Sequence, residues 1–295
     1  MFARDIPLFD RLTRILIVIL PFHVLISVFF GFELAIPGIS LYKEAILLVL
    51  AVALGWDFFC RRSWPRFDWL DGLILAYASL LLGVSVFSGT SLAGIVAGVR
   101  YDLEFLFVFV LFRHGTYLLT GKFSDYVRLF VISSGIAILL GAFVRFVTKE
   151  TVLLYLGFSA DLSNWQFGGS VPIYHGIPNA NIRRFQGIFD GPNSAAYFLI
   201  LHIGLVLYAF RAERDYWGVL GMWLFGVFGL LLLTYTRSAF VGIVLATGIT
   251  VLFCLPIILR KYKIAFASFL AVVILVIGGF SVRYADSLQT IFLRE

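Results

Sequence analysis

The stretch YWGVLGMWLFGVFGLLLLTY, residues 216–235, is followed after Thr236-Arg237 by SAFVGIVLATGITVLFCLPII, residues 238–258. Each run is about 20 residues long and uncharged, which at ~1.5 Å rise per residue crosses a hydrocarbon core of about 30 Å. The whole junction is Thr234-Tyr235-Thr236-Arg237-Ser238. Two spans joined back to back predict a membrane hairpin with one guanidinium at its vertex. A cation there is costly unless it reaches the headgroups or meets an anionic ligand.

The rest of the chain has the same character. Hydrophobic residues make up 61% of the 295 and charged residues 14%, against ~25% charged in a soluble domain. The mean hydropathy is +0.99. The expected fold is all-α, a polytopic transmembrane helical bundle forming one integral membrane domain over residues 1–295. About nine spans can be drawn, at roughly 12–31, 39–57, 70–88, 96–112, 124–147, 192–210, 216–235, 238–258 and 264–282. The first apolar run lacks a small-residue cleavage site and reads as a span, not a removed signal peptide.

Charge orients the bundle. With the N-terminus inside, the inner segments hold fourteen of the lysines and arginines and the outer segments nine. Every short inner loop is then basic, as the positive-inside rule requires. That rule accounts for the net charge of +6 without invoking nucleic acid. The partners expected from composition are membrane lipids. Cys60 and Cys254 both fall near inner ends of spans, which points to reduced thiols. The spacings contain no metal-ligand cluster, P-loop or nucleotide fingerprint, so neither a metal nor a cofactor is expected.

One connection is long. Residues 148–190 form an outer loop, and loops of that length inside a compact protein are usually functional. Its early part, 151–158, is apolar enough to lie on the membrane surface. It closes with Arg183-Arg184-Phe185-Gln186-Gly187-Ile188-Phe189-Asp190-Gly191-Pro192-Asn193. Asp190 or Gly191 can cap a helix and Pro192 suits its first turn. Free N–H groups there, with two preceding arginines, make an anion site; an ordinary helix start with snorkelling arginines is the equal alternative. Arg100 has Glu104 at i, i+4 and can simply pair with it. Arg145 lies in the last turn of its span and can snorkel. His23 and His202 fall inside spans, where a histidine is usually a satisfied interhelical hydrogen-bond partner. His175, in the long loop beside Tyr174, is the histidine placed for outer-face chemistry.

These residues resemble a family. Arg184-Phe185-Gln186-Gly187-Ile188-Phe189 with Pro192-Asn193 and Ala195-Ala196 is similar to the R-x-x-G-x-[FY]…PN-x-x-A element of the O-antigen ligase and O-antigen polymerase superfamily. Leu231-Leu232-Leu233-Thr234-Tyr235-Thr236-Arg237-Ser238-Ala239 is similar to its L-x-x-T-x-S-R-[SG]-A hairpin, with Thr236 where the family usually has Ser. The resemblance is firmest over 180–260. It implies a glycosyltransferase of the bacterial cytoplasmic membrane, acting in lipopolysaccharide or other envelope polysaccharide biosynthesis. The donor would be an undecaprenyl-pyrophosphate-linked glycan and the acceptor a hydroxyl of another glycan or lipid. It implies that Arg184, Arg237, Arg100, Arg145 and Asn193 hold the pyrophosphate. Family members continue with a large outer loop carrying a histidine regarded as catalytic. Residues 283–295 then read as the start of that loop in a truncated sequence, with the general base beyond Glu295 or at His175. The alternatives from other classes are a lipid-linked oligosaccharide flippase or other secondary transporter, and a non-catalytic membrane partner.

Overall fold

The computed structural model of the chain describes residues 7–62, 65, 67–161, 170–173, 175–177, 180–210 and 217–245. The ninth span, Cys254, Tyr174, residues 283–295 and most of the eighth span lie outside the described residues. The chain folds as two compact units, Met1–Thr236 and Arg237–Glu295. In the second, residues 237–245 are helical.

The first unit is helical. Its elements are α1 (Pro7–Ile19), α2 (His23–Val28), α3 (Tyr42–Arg61), α4 (Trp69–Phe87), α5 (Leu92–Gly98), α6 (Glu104–Gly115), α7 (Phe123–Phe146), α8 (Thr151–Leu154), α9 (Pro192–Ala209) and α10 (Trp217–Leu233). Among the described residues, five helical stretches are long and apolar enough to cross a membrane: Leu8–Glu33, Ile39–Arg61, Trp69–Phe87, Phe123–Phe146 and Pro192–Ala209. α10 is apolar but shorter. The expected boundaries of these stretches hold to a few residues, because the start signals are local. The Asp68 carboxylate accepts from the backbone of Leu70 and Asp71 to cap α4, and the Asp71 carboxylate accepts from the Asp68 N–H in return. Pro192 opens α9, where its missing N–H costs nothing.

Two spans are interrupted. A 3-10 turn at Leu20–Phe22 separates α1 from α2, centred on Pro21, which cannot donate to the helical ladder. A π turn at Val99–Leu103 separates α5 from α6, so the expected fourth span of 96–112 runs from Leu92 to Gly115 with a break. The long loop also holds a short antiparallel pair, β1 (Gly176–Ile177) and β2 (Ala180–Arg183), a local departure from the all-helical expectation.

α7 is central. It packs on α1 and α9, and 44% of its most apolar stretch is buried, against 6% for α4, whose Leu75, Leu80, Val86 and Phe87 face outward. One cluster joins Phe9, Leu50 and Leu111 across α1, α3 and α6. Another joins Val28, Ala137 and Val144 to Leu153, Phe158 and Ile173 of the long loop. Within residues 151–158, Leu153 and Phe158 turn inward while Tyr155 is exposed. Their helix covers Thr151–Leu154 alone, and Leu153 and Phe158 fill the core.

The side-chain pairs also sort the helix ends. Tyr117 donates to Asp57 at 2.6 Å, Arg113 pairs with Asp68, His114 with Asp71, and Tyr126 bonds Asp10. All of these belong to segments with the basic short loops. At the other end Arg100 meets Glu44, Lys43 meets Glu104, and Gly157 packs on the Glu33 backbone.

Candidate functional site

The turn 184–191 is built on a backbone contact. Gly187 takes φ +64, a left-handed conformation that glycine adopts without a side-chain penalty. A Cβ on Gly141 of α7 would lie 3.1 Å from the Gly187 Cα, and one on Gly187 would lie 3.3 Å from the Gly141 Cα. Two glycines thus let the turn lie against the central helix. Gln186 is buried beside them and donates to the carbonyls of Pro172 at 3.0 Å and Phe189 at 2.8 Å, tying the turn to the long loop at Pro172.

From this base Arg184 reaches the end of α10. Its Nε donates to the Thr234 carbonyl at 2.8 Å, and the Phe185 N–H donates to the Leu233 carbonyl at 2.7 Å. These are carbonyls the helix leaves without internal partners, and a cation there is favoured by the helix dipole. Arg184 Nη2 donates to Asn193 Oδ1 at 2.9 Å and to Thr236 Oγ1 at 3.1 Å. The Thr236 hydroxyl shares its one proton between the Pro192 carbonyl and Asn193 Oδ1, both at 3.2 Å. Thr234 and Thr236 are buried, Arg184 is half-buried and Asn193 is exposed. A hydroxyl is what the geometry uses at 236, and serine would supply the same group. α9 begins beside this cluster, and Gly191 at its N-cap offers no side chain to the first-turn N–H groups. A guanidinium and a helix N-terminus together favour an anion.

Arg145 joins from α7. Its Nη2 donates to the Arg183 carbonyl at 2.9 Å and its Nη1 to Glu150 Oε1 at 3.2 Å. It is a tie between α7 and β2, not a snorkelling side chain. Glu150 is 2% exposed and has Arg183 Nη1 at 3.8 Å. Burial raises the Glu150 pKa, opposed by the charges of Arg145 and Arg183. Lys149 and Glu150 take φ +52 and +69, a left-handed pair that ends α7 with the Glu150 N–H bonded to the Val144 carbonyl at 3.0 Å. Left-handed non-glycine residues cost of order 1–3 kcal/mol each and persist only where surrounding contacts hold them.

His175 is partly buried, and its carbonyl accepts from the Arg184 N–H at 2.8 Å. Its pKa is lowered, first by burial and then by the Arg184 charge, with a Pro172 backbone bond and Asp190 opposing. Both causes favour the neutral imidazole, the form that can accept a proton.

The expected site residues thus divide. Arg184, Arg145, Asn193 and His175 are joined by hydrogen bonds through residues 183 and 184. Arg100 has other partners. Its Nε donates to Glu44 at 2.6 Å and its Nη2 to the Ser40 carbonyl at 3.1 Å, while Glu104 takes Lys43. The expected i, i+4 pair with Glu104 is absent because the π turn at 99–103 adds a residue to that turn and rotates the two side chains apart. Arg237 opens the second unit, one peptide bond after Thr236. Sequence reasoning missed Glu150 and the positioning part played by Thr234 and Gln186. Inside the bundle, the Trp223 indole donates to His202 Nε2 at 2.9 Å, which leaves the proton on Nδ1, 2.7 Å from Ser134 Oγ. His202 is a satisfied interhelical partner, as expected. Among the described residues no cluster could hold a metal ion.

No protein-family profile, no curated protein and no solved structure matches the chain.

Proposed function

We propose that this chain is a membrane glycosyltransferase of the O-antigen ligase and polymerase type. On this reading it lies in the bacterial cytoplasmic membrane with about nine spans and its N-terminus inside. It takes a glycan from an undecaprenyl-pyrophosphate donor in the outer leaflet. The acceptor hydroxyl loses its proton to a base and its oxygen bonds to the anomeric carbon. The bond from that carbon to the pyrophosphate oxygen breaks, and undecaprenyl pyrophosphate leaves. The donor carries its own leaving group, so no nucleotide is needed.

One observation carries the reading. The two family-like elements, 184–196 and 231–239, are about fifty residues apart, yet the Arg184 guanidinium binds acceptors in both, Asn193 in one and Thr234 and Thr236 in the other. A fixed guanidinium beside an uncapped helix start suits a pyrophosphate whose charge grows as the bond breaks. Arg237, the next residue after Thr236, is a further proposed pyrophosphate ligand. Reconstituted vesicles given undecaprenyl-pyrophosphate-linked oligosaccharide and acceptor glycan test the reading. Release of undecaprenyl pyrophosphate is the expected result, and donor left intact under all acceptors overturns it.

His175 is the candidate base among the described residues. With its pKa lowered, the neutral form is lost only as pH falls below the ~6.5 of a free imidazole. Turnover is therefore expected to hold level from pH 8 to 6.5 and to fall at more acid pH, with His175→Gln removing that acid limb and at least tenfold of the rate. An unchanged profile in the variant would move the base elsewhere.

A second reading, a lipid-linked oligosaccharide transporter, draws on the breaks at Leu20–Phe22 and Val99–Leu103, since transporter sites are often built at interrupted spans. It predicts translocated but chemically unchanged donor in the same vesicles.

A further inference from the structure

We propose that Glu150 is a positioning residue for Arg184, acting through Arg145. The inference rests on the transferase reading for its catalytic consequence but not for its structural one. The carboxylate sits at the end of α7, buried, and no ordinary surface role explains it. Its one described hydrogen bond comes from Arg145 Nη1. The other nitrogen of the same planar fork, Nη2, holds the Arg183 carbonyl. That carbonyl belongs to the peptide whose nitrogen is that of Arg184. The Arg184 N–H in turn bonds the His175 carbonyl, and its guanidinium reaches α10. A single line of contacts therefore runs from Glu150 to Arg145, to the 183–184 peptide, to the guanidinium at the candidate anion site.

Geometry gives the line its direction. Arg145 is 21% exposed at its side chain and Glu150 3%, so the ion pair is largely withdrawn from water. Removing one partner of such a pair leaves the other charge without compensation. Arg145 would then turn outward to be solvated and release the Arg183 carbonyl. The second oxygen, Oε2, makes no hydrogen bond among the described residues and has Arg183 Nη1 at 3.8 Å. Glu150 thus holds both ends of the long loop, through Arg145 on α7 and Arg183 on β2. The left-handed backbone at Lys149 and Glu150 aims the carboxylate back under its own helix, which a continued helix would not do. A lysine at 145 keeps the charge but lacks the fork that bridges carboxylate and carbonyl.

Two measurements on the full-length protein test this. Hydrogen exchange of Glu150→Gln should speed at least tenfold in the peptide covering 183–186 and stay unchanged in 195–206 of α9. Uniform change across the protein, or none, overturns the proposal whatever the protein's activity. In the vesicle assay, Glu150→Gln and Arg145→Lys should each lower kcat/KM for donor at least tenfold per folded protein. Each should cost less than threefold when added to Arg184→Lys, because residues acting in one line are not additive. Equal losses in both backgrounds would mean a purely structural role and overturn the link to Arg184. If the wild type releases no undecaprenyl pyrophosphate, the transferase reading falls, and the exchange pattern alone decides whether Glu150 positions Arg184.

Discussion

Arg184→Ala is expected to lower glycan transfer by roughly 10²–10³ per folded protein, the usual loss when one fixed donor to developing negative charge is removed. The side chain has two roles to separate. It binds the Thr234 carbonyl, Asn193 and Thr236, and hydrogen bonds involving a charged group are worth about 1.5–3 kcal/mol. The alanine variant will therefore also be less stable, and turnover must be normalised to protein that elutes as a folded monodisperse species. Arg184→Lys should recover the charge but not the three-way geometry, leaving transfer at an intermediate level. If Arg184 serves only as the cap of α10, the alanine variant loses stability while its folded fraction turns over donor at the wild-type rate. That outcome would remove Arg184 from the mechanism.

Gly187→Ala is expected to destabilise the protein by roughly 2–5 kcal/mol. A left-handed backbone costs an L-residue about 1–2 kcal/mol, and forcing a methyl into a packed contact adds about 1–3. Here the methyl would lie 3.2 Å from the Phe185 ring and 3.3 Å from the Gly141 Cα, and backbone cannot move aside as a flexible side chain can. Gly221→Ala is the control. It lies on α10 with nothing within 4 Å of an added Cβ, and alanine there should stabilise the helix by about 0.5–1 kcal/mol. Thermal unfolding in detergent reads both. Equal midpoints for the two variants would mean that the turn is free to move off α7.

The helices were legible in the sequence because each is specified locally. Apolar runs of the right length, Asp68 and Pro192 at their starts, and basic short loops point to the class and most boundaries. Arg184, Asn193 and Thr236 were legible as a motif. What escaped depends on contacts between distant segments. Glu150 belongs to no motif, and its partners are Arg145 near the end of α7 and Arg183 on β2, more than thirty residues on. The Arg100–Glu104 spacing invited an i, i+4 pair, and one π turn cancelled it. The break in the first span did have a signal, Pro21, which an apolar run of that length overrides by composition. The short β pair is held by the loop ends that flank it, and the four residues of β2 are too few for their alternation to stand out.

The bonds from Arg184 and Phe185 to the end of α10 also impose an order on the making of the protein. Their acceptors lie about fifty residues downstream. At about 5–20 residues per second, synthesis takes roughly 2.5–10 s to supply them. During that interval α9 is made, and the turn at 184–191 can lean on α7 and on the Pro172 carbonyl. The Arg184 guanidinium reaches the Thr234 carbonyl only when α10 has been made. This contact is thus closed late, by the arrival of α10, and any delay in α10 prolongs the wait for these bonds.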